Sequence, residues 1–150
     1  MKAMRLLFVC TGNSARSQMA EGWARKLAPK GVEVRSAGTH PAGVNPLTIE
    51  VMRERGLDIR GQRSKSLAEV PAENDYVITL CAEADAECPT LPARIARLAW
   101  HLPDPAPVGG SEEEKRQAFR EARDRIEERV RALFADPAFL RDRVPANKTS

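Results

Sequence analysis

The apolar segment from Met4 to Val9 constrains the fold more than any other part of the chain. It is short, almost wholly apolar and followed at once by a turn that contains a glycine, which is typical of a fully buried strand. Small and apolar residues then recur at helical spacing until Pro29 and Gly31 end the pattern; they are Ala15, Met19, Ala20, Trp23, Ala24 and Leu27. A buried strand joined closely to an amphipathic helix indicates the first half of a βαβ unit.

The same alternation of strand and helix continues along the chain. Further strands are predicted at Val32–Ser36, at Tyr76–Cys81 and within Ile95–Leu102. Capping residues predict helix starts at Asn45, Ser66 and Ser111. Because such alternation requires right-handed crossovers between parallel strands, we expect an α/β fold: a three-layer sandwich with a four-stranded parallel sheet flanked by helices.

Length and composition predict the extent of the folded domain and argue against nucleic acid and membranes as partners. One domain is expected over residues 1–136, since 150 residues with 42% hydrophobic content can bury one core and the helical pattern ends at Asp136. Residues 137–150 are expected to form a partly disordered extension. A net charge of +3 with mixed signs and an aromatic content of 5% argue against nucleic acid as a partner. No apolar segment approaches the roughly 20 residues that span a bilayer, so no membrane is expected as a partner. The apolar segment before Cys10 is too short for a signal peptide, so we expect a cytoplasmic protein, and we expect it to be a monomer.

The chain has three cysteines, Cys10, Cys81 and Cys88. An odd number without a Cys-x-x-Cys pair argues against a disulfide-stabilised secreted fold. Their spacing from one another and from His40 and His101 does not match a zinc site, so no metal is predicted. Core packing and thiol chemistry remain as their roles. Cys10 and Cys81 each stand at the carboxyl end of a predicted parallel strand, where sites form in such sheets, so the two can be neighbours in space.

The segment CTGNSARS, residues 10–17, has the composition of an oxyanion-binding loop. It joins a strand to a helix, and a helix N-terminus offers unpaired N–H groups and partial positive charge. Gly12 is expected to adopt backbone angles forbidden to other residues, so that successive N–H groups point inward. Arg16 adds a planar charged fork suited to phosphate, arsenate or sulfate. The predicted oxyanion-binding residues are Thr11, Gly12, Asn13, Ser14, Ala15 and Arg16.

Three side chains near this loop are candidates for catalysis. The field that attracts an anion also favours the thiolate of Cys10, which is the nucleophilic form, and Ser17 can donate a hydrogen bond to it. Asp104 stands in an Asp-Pro loop after a predicted strand, where a carboxylic acid can protonate a leaving oxygen. The alternative is that Cys10 is a small core residue and that Asp104 only shapes a turn.

Four segments together resemble a known family. They are CTGNSARSQMAEGWA, SAGTHPAGVNPLTIEVM, DYVITLCAEADAECPTLP and HLPDPA, in this order along the chain. In the first segment, five residues separate Cys10 from Arg16, and Ser17 follows directly. This segment resembles the low-molecular-weight protein tyrosine phosphatase superfamily. All four resemble the thioredoxin-coupled arsenate reductases within it. The resemblance extends over roughly residues 4–135 and implies the phosphatase-like fold.

The resemblance implies a relay of three thiols. Cys10 would attack arsenate, Cys81 would then form a disulfide with Cys10 and release arsenite, and Cys88 would take over the bond with Cys81. Thioredoxin would reduce that last disulfide, so no bound cofactor is expected, although glutathione remains an alternative reductant. A second hypothesis is a phosphatase for phosphotyrosine or small aryl phosphates that uses Cys10, Arg16 and Asp104. A third is an oxyanion sensor without catalysis.

The spacing of the last two cysteines predicts a conformational change. The residues between them are good helix formers, and in a helix the Cα atoms of Cys81 and Cys88 would be about 10 Å apart. A disulfide tolerates at most about 7 Å between Cα atoms. We therefore expect residues 82–92 to unwind when this disulfide forms.

The chain departs from its apparent relatives at one place. Some reductases of this family bind potassium near the loop through oxygen ligands, and Asn13, Glu21 and Ser36 match three of these ligands. Arg63 and Lys65 stand where a hydroxyl and a carboxylate are expected, and a cation beside Lys65 is electrostatically unfavourable. We expect no metal here. Lys65 is expected to substitute for its charge, and Asn13 to brace the loop by hydrogen bonds.

Overall fold

A computed structural model describes residues 4–82 and 91–142 of the chain. Its sheet contains the strands β1 (Met4–Cys10), β2 (Val32–Gly38), β3 (Tyr76–Thr79) and β4 (Ala96–Ala99). They lie in the order β2-β1-β3-β4, and all three pairings are parallel. The predicted α/β fold with a four-stranded parallel sheet flanked by helices is confirmed.

The helices are α1 (Arg16–Leu27), α2 (Pro46–Glu54), α3 (Glu112–Ala135) and α4 (Pro137–Asp142), with a short 3₁₀ helix at Leu67–Glu69. The predicted caps are confirmed at α2, where Asn45 Oδ1 accepts a hydrogen bond from the Leu47 N–H, and at α3, where Ser111 and Glu114 form a capping box. Within the described ranges, none of these helices has the length and apolar character needed to cross a bilayer.

The core forms between the sheet and the helices that cover it. Phe8 and Val9 on β1 are fully buried, as are Met19 and Ala20 on α1. Phe8 packs against Trp100, with ring centroids 5.8 Å apart. Because β1 is one of the two central strands and leads directly into the predicted oxyanion loop, this core fixes the position of that loop.

The folded part extends past the predicted domain boundary at residue 136. Helix α4 places Phe139 in the core with only 1% exposure, where its ring lies 5.3 Å from those of Tyr76 and Phe134. The six residues of α4 are too few to show helical periodicity in the sequence, so this helix could not be predicted from its own pattern. The contacts of Phe139 with other aromatic rings hold it against the core. Residues 143–150 lie outside the described part of the chain.

Helices α2 and α3 are joined by ion pairs at the surface. Glu54 on α2 accepts hydrogen bonds from Arg120 and Arg123 on α3, at 2.8 Å and 2.9 Å. The hydrogen bond from Arg120 and then that from Arg123 lower the pKa of Glu54 to about 2, against the effect of burial. Glu54 is therefore charged at neutral pH and remains paired with both arginines.

Candidate active site

The loop between β1 and α1 turns its carbonyl groups away from its centre. The carbonyls of Cys10, Thr11, Gly12 and Ser14 accept hydrogen bonds from the N–H groups of Thr39, His40, Ala42 and Asn45, in that order, at 2.8–3.3 Å. Since the C=O and the N–H of one trans peptide point in opposite directions, the N–H groups that follow these carbonyls point to the other side, into the loop. The arrangement fits the predicted cradle for an oxyanion.

The prediction for the backbone of Gly12 is wrong. Gly12 does not adopt a positive φ, and a Cβ atom there would meet Ser14 and Ala42 at ordinary contact distances of 3.5 Å and 3.6 Å. The left-handed residue of the loop is Asn13, with a φ of 46°. Asparagine tolerates this conformation when its side chain forms local hydrogen bonds, as the Asn13 amide does with Ser17 and Gln18.

Cys10 and Ser17 meet beneath the loop. The Cys10 Sγ and Ser17 Oγ atoms are 2.9 Å apart, and both residues are buried. Ser17 lies in the first turn of α1, so the partial positive charge of this helix end also acts on the sulfur. The predicted contact between this hydroxyl and the candidate nucleophile is present.

Arg16 connects the loop to the Asp-Pro loop. Its Nη1 donates to the Leu102 carbonyl at 2.8 Å, and its Nη2 lies 3.5 Å from Asp104 Oδ2. The Arg16 side chain is 10% exposed and that of Asp104 is 44% exposed, so the carboxyl group is the solvent-facing member of the pair. The Asp104 carboxylate also accepts the Ala106 N–H at 2.9 Å, which orders the loop that carries it.

These residues share one open cleft with a volume of about 720 Å³. It is lined by Cys10, Thr11, Gly12, Ser14, Ala15, Arg16, Ala42, Ala82, His101, Leu102, Pro103, Asp104 and Ala106. In the part of the chain that the structure describes, this lining contains no phenylalanine, tyrosine or tryptophan. Among the described residues, the lining therefore offers the charged side chains of Arg16 and Asp104 but no large aromatic side chain on which a tyrosyl ring could stack.

A second cysteine lies beside the loop. Cys81 is 1% exposed, and its Sγ lies 3.4 Å from Thr11 Oγ1. The backbone explains this position, because the Leu80 N–H continues the pairing of β3 with β1 by donating to the Val9 carbonyl at 2.8 Å. Cys88 and residues 83–90 lie outside the described residues, so the predicted unwinding of 82–92 stays a prediction.

The residues matched to cation ligands do not fit a potassium ion. Glu21 Oε1 lies 3.5 Å from the Lys65 ammonium, and Glu21 Oε2 lies 2.8 Å from an Arg25 nitrogen. The Asn13 Oδ1 atom accepts from the Gln18 amide and from the Lys65 N–H. Donors and cations of the protein already engage these oxygens, and another cation would meet the Lys65 charge.

Sequence reasoning missed Gly38, which ends β2 beside Cys10 in the sheet. A Cβ atom on Gly38 would lie 2.6 Å from the Thr11 carbonyl oxygen and 2.9 Å from the Asn13 N and Cβ atoms. All three are backbone or Cβ atoms, which cannot swing aside as a flexible side chain can. Sequence reasoning also assigned no part in the site to Ala42 or His101, which both line the cleft. No local signal marks these residues, because contacts between segments that are distant in the sequence bring them to the loop.

Gly38→Ala is expected to damage the loop although Gly38 does not line the cleft. The added methyl group must displace Thr11 and Asn13, so we expect aryl-phosphate hydrolysis to fall about tenfold or more and stability to fall by about 1–3 kcal/mol. Steady-state hydrolysis and thermal unfolding measure the two effects. Gly61→Ala is the matched control, since a Cβ there meets no atom within 4 Å. Wild-type hydrolysis by Gly38→Ala would contradict this account of the loop.

Comparison with known proteins identifies the class to which the fold and the cleft belong. Residues 5–145 match the family described as low molecular weight phosphotyrosine protein phosphatase. Because this match spans most of the chain, the chain belongs to that family. The resemblance predicted from four sequence segments is thereby confirmed.

Several of the proteins to which this chain is similar are arsenate reductases. The arsenate reductase of Bacillus licheniformis is 44% identical over 132 residues, which are 87% of this chain and 95% of the relative. A solved arsenate reductase in its phosphate-binding state is 35% identical with a TM-score of 0.71, covering 90% of this chain and 98% of that one. The thioredoxin-dependent arsenate reductase of Corynebacterium glutamicum is 30% identical with a TM-score of 0.71, covering 95% of this chain and 64% of that one.

Proposed function

We propose that this chain reduces arsenate to arsenite with Cys10 as nucleophile, Cys81 and Cys88 as successive thiols, and thioredoxin as the reductant. The observation that carries the proposal is the position of the Cys81 sulfur, 3.4 Å from Thr11 Oγ1 in the loop that follows Cys10. A phosphatase needs one thiol at such a loop, whereas a reductase needs a second thiol within its reach. The arsenate reductases among the relatives give independent support.

The first step is the attack of Cys10 on bound arsenate. The loop N–H groups and the Arg16 guanidinium hold the tetrahedral oxyanion, and the Cys10 thiolate forms a sulfur–arsenic bond. A hydroxyl group of the arsenate takes one proton from Asp104 and leaves arsenic as water, so that the arsenic–oxygen bond breaks as the sulfur–arsenic bond forms. Arg16 contacts Asp104 and also lines the cleft with Cys10, which supports a role for Asp104 close to the reacting oxyanion.

The second step transfers two electrons to arsenic. The Cys81 thiolate attacks the Cys10 sulfur, a Cys10–Cys81 disulfide forms, and the electron pair of the breaking sulfur–arsenic bond stays on arsenic as As(III). Cys88 then attacks Cys81, which forms a Cys81–Cys88 disulfide and returns Cys10 as a thiolate. Thioredoxin supplies two electrons to reduce this disulfide and closes the cycle.

Phosphatase activity is the second candidate, because Cys10, Arg16 and Asp104 share one cleft. These three groups are sufficient for hydrolysis of a small aryl phosphate through a thiol–phosphate intermediate. The cleft lining among the described residues contains no phenylalanine, tyrosine or tryptophan ring for a phosphotyrosyl side chain. We therefore propose that such activity is residual and directed at small esters.

The test is a side-by-side assay of the purified protein. Arsenate is supplied with thioredoxin, thioredoxin reductase and NADPH, and both arsenite formation and NADPH oxidation are followed. Hydrolysis of p-nitrophenyl phosphate is measured in parallel. Arsenite in proportion to oxidised NADPH supports the proposal. Hydrolysis without any arsenite favours the phosphatase, and binding of phosphate without either reaction favours an oxyanion sensor.

A further inference from the structure

We propose that the Lys65 ammonium is a built-in cation that controls the reactivity of Cys10 through a buried chain of hydrogen bonds. Lys65 does not line the cleft, so it is a positioning residue rather than a catalytic one. The inference rests on the proposed role of Cys10 as nucleophile. It also explains why the residues matched to potassium ligands do not fit that ion in this chain.

The chain of hydrogen bonds starts at a buried ion pair. Lys65 Nζ lies 3.5 Å from Glu21 Oε1 and donates to the Arg63 carbonyl at 3.2 Å. The side chains of Glu21 and Lys65 are 2% and 12% exposed. Arg25 also pairs with Glu21, but its side chain is 56% exposed. Lys65 is therefore the more buried cation on Glu21, and its removal leaves the carboxylate with the largely solvated Arg25.

The Glu21 carboxylate fixes the direction of the next two hydrogen bonds. A carboxylate only accepts, so the Ser36 hydroxyl donates its single proton to Glu21 Oε1, at 2.5 Å. Ser36 Oγ must then act as acceptor toward Asn13 Nδ2, at 2.9 Å. The second proton of the same Asn13 nitrogen points to Ser17 Oγ, at 2.8 Å.

Lys65 also fixes the orientation of the Asn13 amide through its own backbone. Asn13 Oδ1 accepts from the Lys65 N–H and from Gln18 Nε2, both at 3.0 Å. With these donors on the oxygen, the amide group cannot be turned over without losing four hydrogen bonds. The ammonium and the backbone of Lys65 therefore support the two ends of one network.

The network ends at the sulfur. Ser17 Oγ accepts from Asn13 Nδ2 and keeps its single proton, which it donates to Cys10 Sγ, 2.9 Å away, when the sulfur is a thiolate. A hydrogen bond donated to sulfur favours the thiolate over the thiol. Asn13, Ser17 and Ser36 are fully buried, so water does not compete for their hydrogen bonds. On the cleft side, Arg16 and Asp104 are the described lysine, arginine, aspartate or glutamate side chains that line the same cleft as Cys10.

Lys65→Met tests the inference, since it removes the ammonium and keeps the backbone N–H that binds Asn13. Alkylation of Cys10 by iodoacetamide, followed by mass spectrometry of the Cys10 peptide, is expected to be about fivefold slower than in the wild type at about pH 7. At about pH 10 a thiol ionises without help, so the two proteins are expected to react at similar rates. Lys26→Met, which removes an exposed ammonium from α1, is the matched control and is expected to react like the wild type.

Several outcomes would overturn the inference. They are a wild-type alkylation rate in Lys65→Met at neutral pH, an equal slowing at both pH values, and a wild-type rate that changes when choline chloride replaces potassium chloride at the same ionic strength. If Lys65→Met does not fold, Ser36→Ala decides, because it interrupts the chain and leaves the ion pair in place. Slower alkylation of Ser36→Ala then supports the inference and an unchanged rate overturns it. None of these measurements uses arsenate or thioredoxin, so a failure of the proposed function is detected separately.

Discussion

Cys10→Ser is expected to abolish arsenate reduction and aryl-phosphate hydrolysis together, with a loss of at least about a thousandfold in each. Both reactions begin with the same sulfur, held 2.9 Å from the Ser17 hydroxyl under the loop. A serine hydroxyl at this position does not ionise near neutral pH and is a far weaker nucleophile. The arsenite assay and p-nitrophenyl phosphate hydrolysis measure the two losses.

The same variant separates catalysis from binding. The loop N–H groups and Arg16 do not depend on the sulfur, so Cys10→Ser is expected to bind inorganic phosphate within about threefold of the wild type in calorimetric titration. Cys81→Ala is the matched control, since it removes the neighbouring thiol and is expected to keep aryl-phosphate hydrolysis. Hydrolysis by Cys10→Ser above about a hundredth of the wild-type rate would exclude Cys10 as the nucleophile of hydrolysis, and arsenite formation above that level would exclude it as the nucleophile of arsenate reduction.

The part of the site that could be predicted from the sequence is its local part. Cys10, Arg16 and Ser17 lie within one strand–loop–helix segment, and the spacing of these residues alone places them at a helix N-terminus. The capping signals at Asn45 and Ser111 are equally local and are present in the structure. Interactions between residues close in sequence leave a pattern that can be interpreted without knowledge of the fold.

The parts that could not be predicted depend on contacts between distant segments. Gly38 must be small because strand pairing brings it against Thr11 and Asn13, and nothing near Gly38 in the sequence indicates that. The positive φ falls on Asn13 rather than Gly12 because donors and acceptors from other elements hold its side chain. Phe139 is buried for a similar reason, because its ring packs against Tyr76, which is distant in the sequence, and against Phe134 on α3.

The contrast between Cys10 and Cys81 follows from the sheet. The carboxyl ends of neighbouring parallel strands meet at one edge, so Cys81, just after β3, lies beside the loop that follows β1. Sequence could predict this proximity because it requires only strand order and direction. Cys88 follows Cys81 in the chain, and no strand pairing predicts where its thiol lies. Its assignment therefore rests on the chemistry of the proposed thiol relay and not on the fold.

Cys88→Ala is expected to stop arsenate reduction after about one arsenite per protein molecule while leaving aryl-phosphate hydrolysis intact. In the proposed relay, Cys10 and Cys81 suffice to release the first arsenite, and the protein then remains as the Cys10–Cys81 disulfide. Thioredoxin is expected to act on the later Cys81–Cys88 disulfide, because the first disulfide lies between two buried sulfurs. Quantification of arsenite per protein in the presence of thioredoxin and NADPH measures this stoichiometry.

Cys81→Ala distinguishes this result from a general loss of function, because without Cys81 the Cys10–arsenic adduct has no thiol of the relay to release even the first arsenite. The expected series is therefore many turnovers for the wild type, about one for Cys88→Ala and none for Cys81→Ala, with hydrolysis of p-nitrophenyl phosphate retained in all three. Only a sequential relay produces this series of turnover numbers. If the protein is a phosphatase whose other cysteines protect Cys10, none of the three proteins is expected to form arsenite. Sustained arsenite formation by Cys88→Ala would mean that the reductant attacks the Cys10–Cys81 disulfide directly, and the three-thiol relay would then be rejected in favour of a two-thiol cycle.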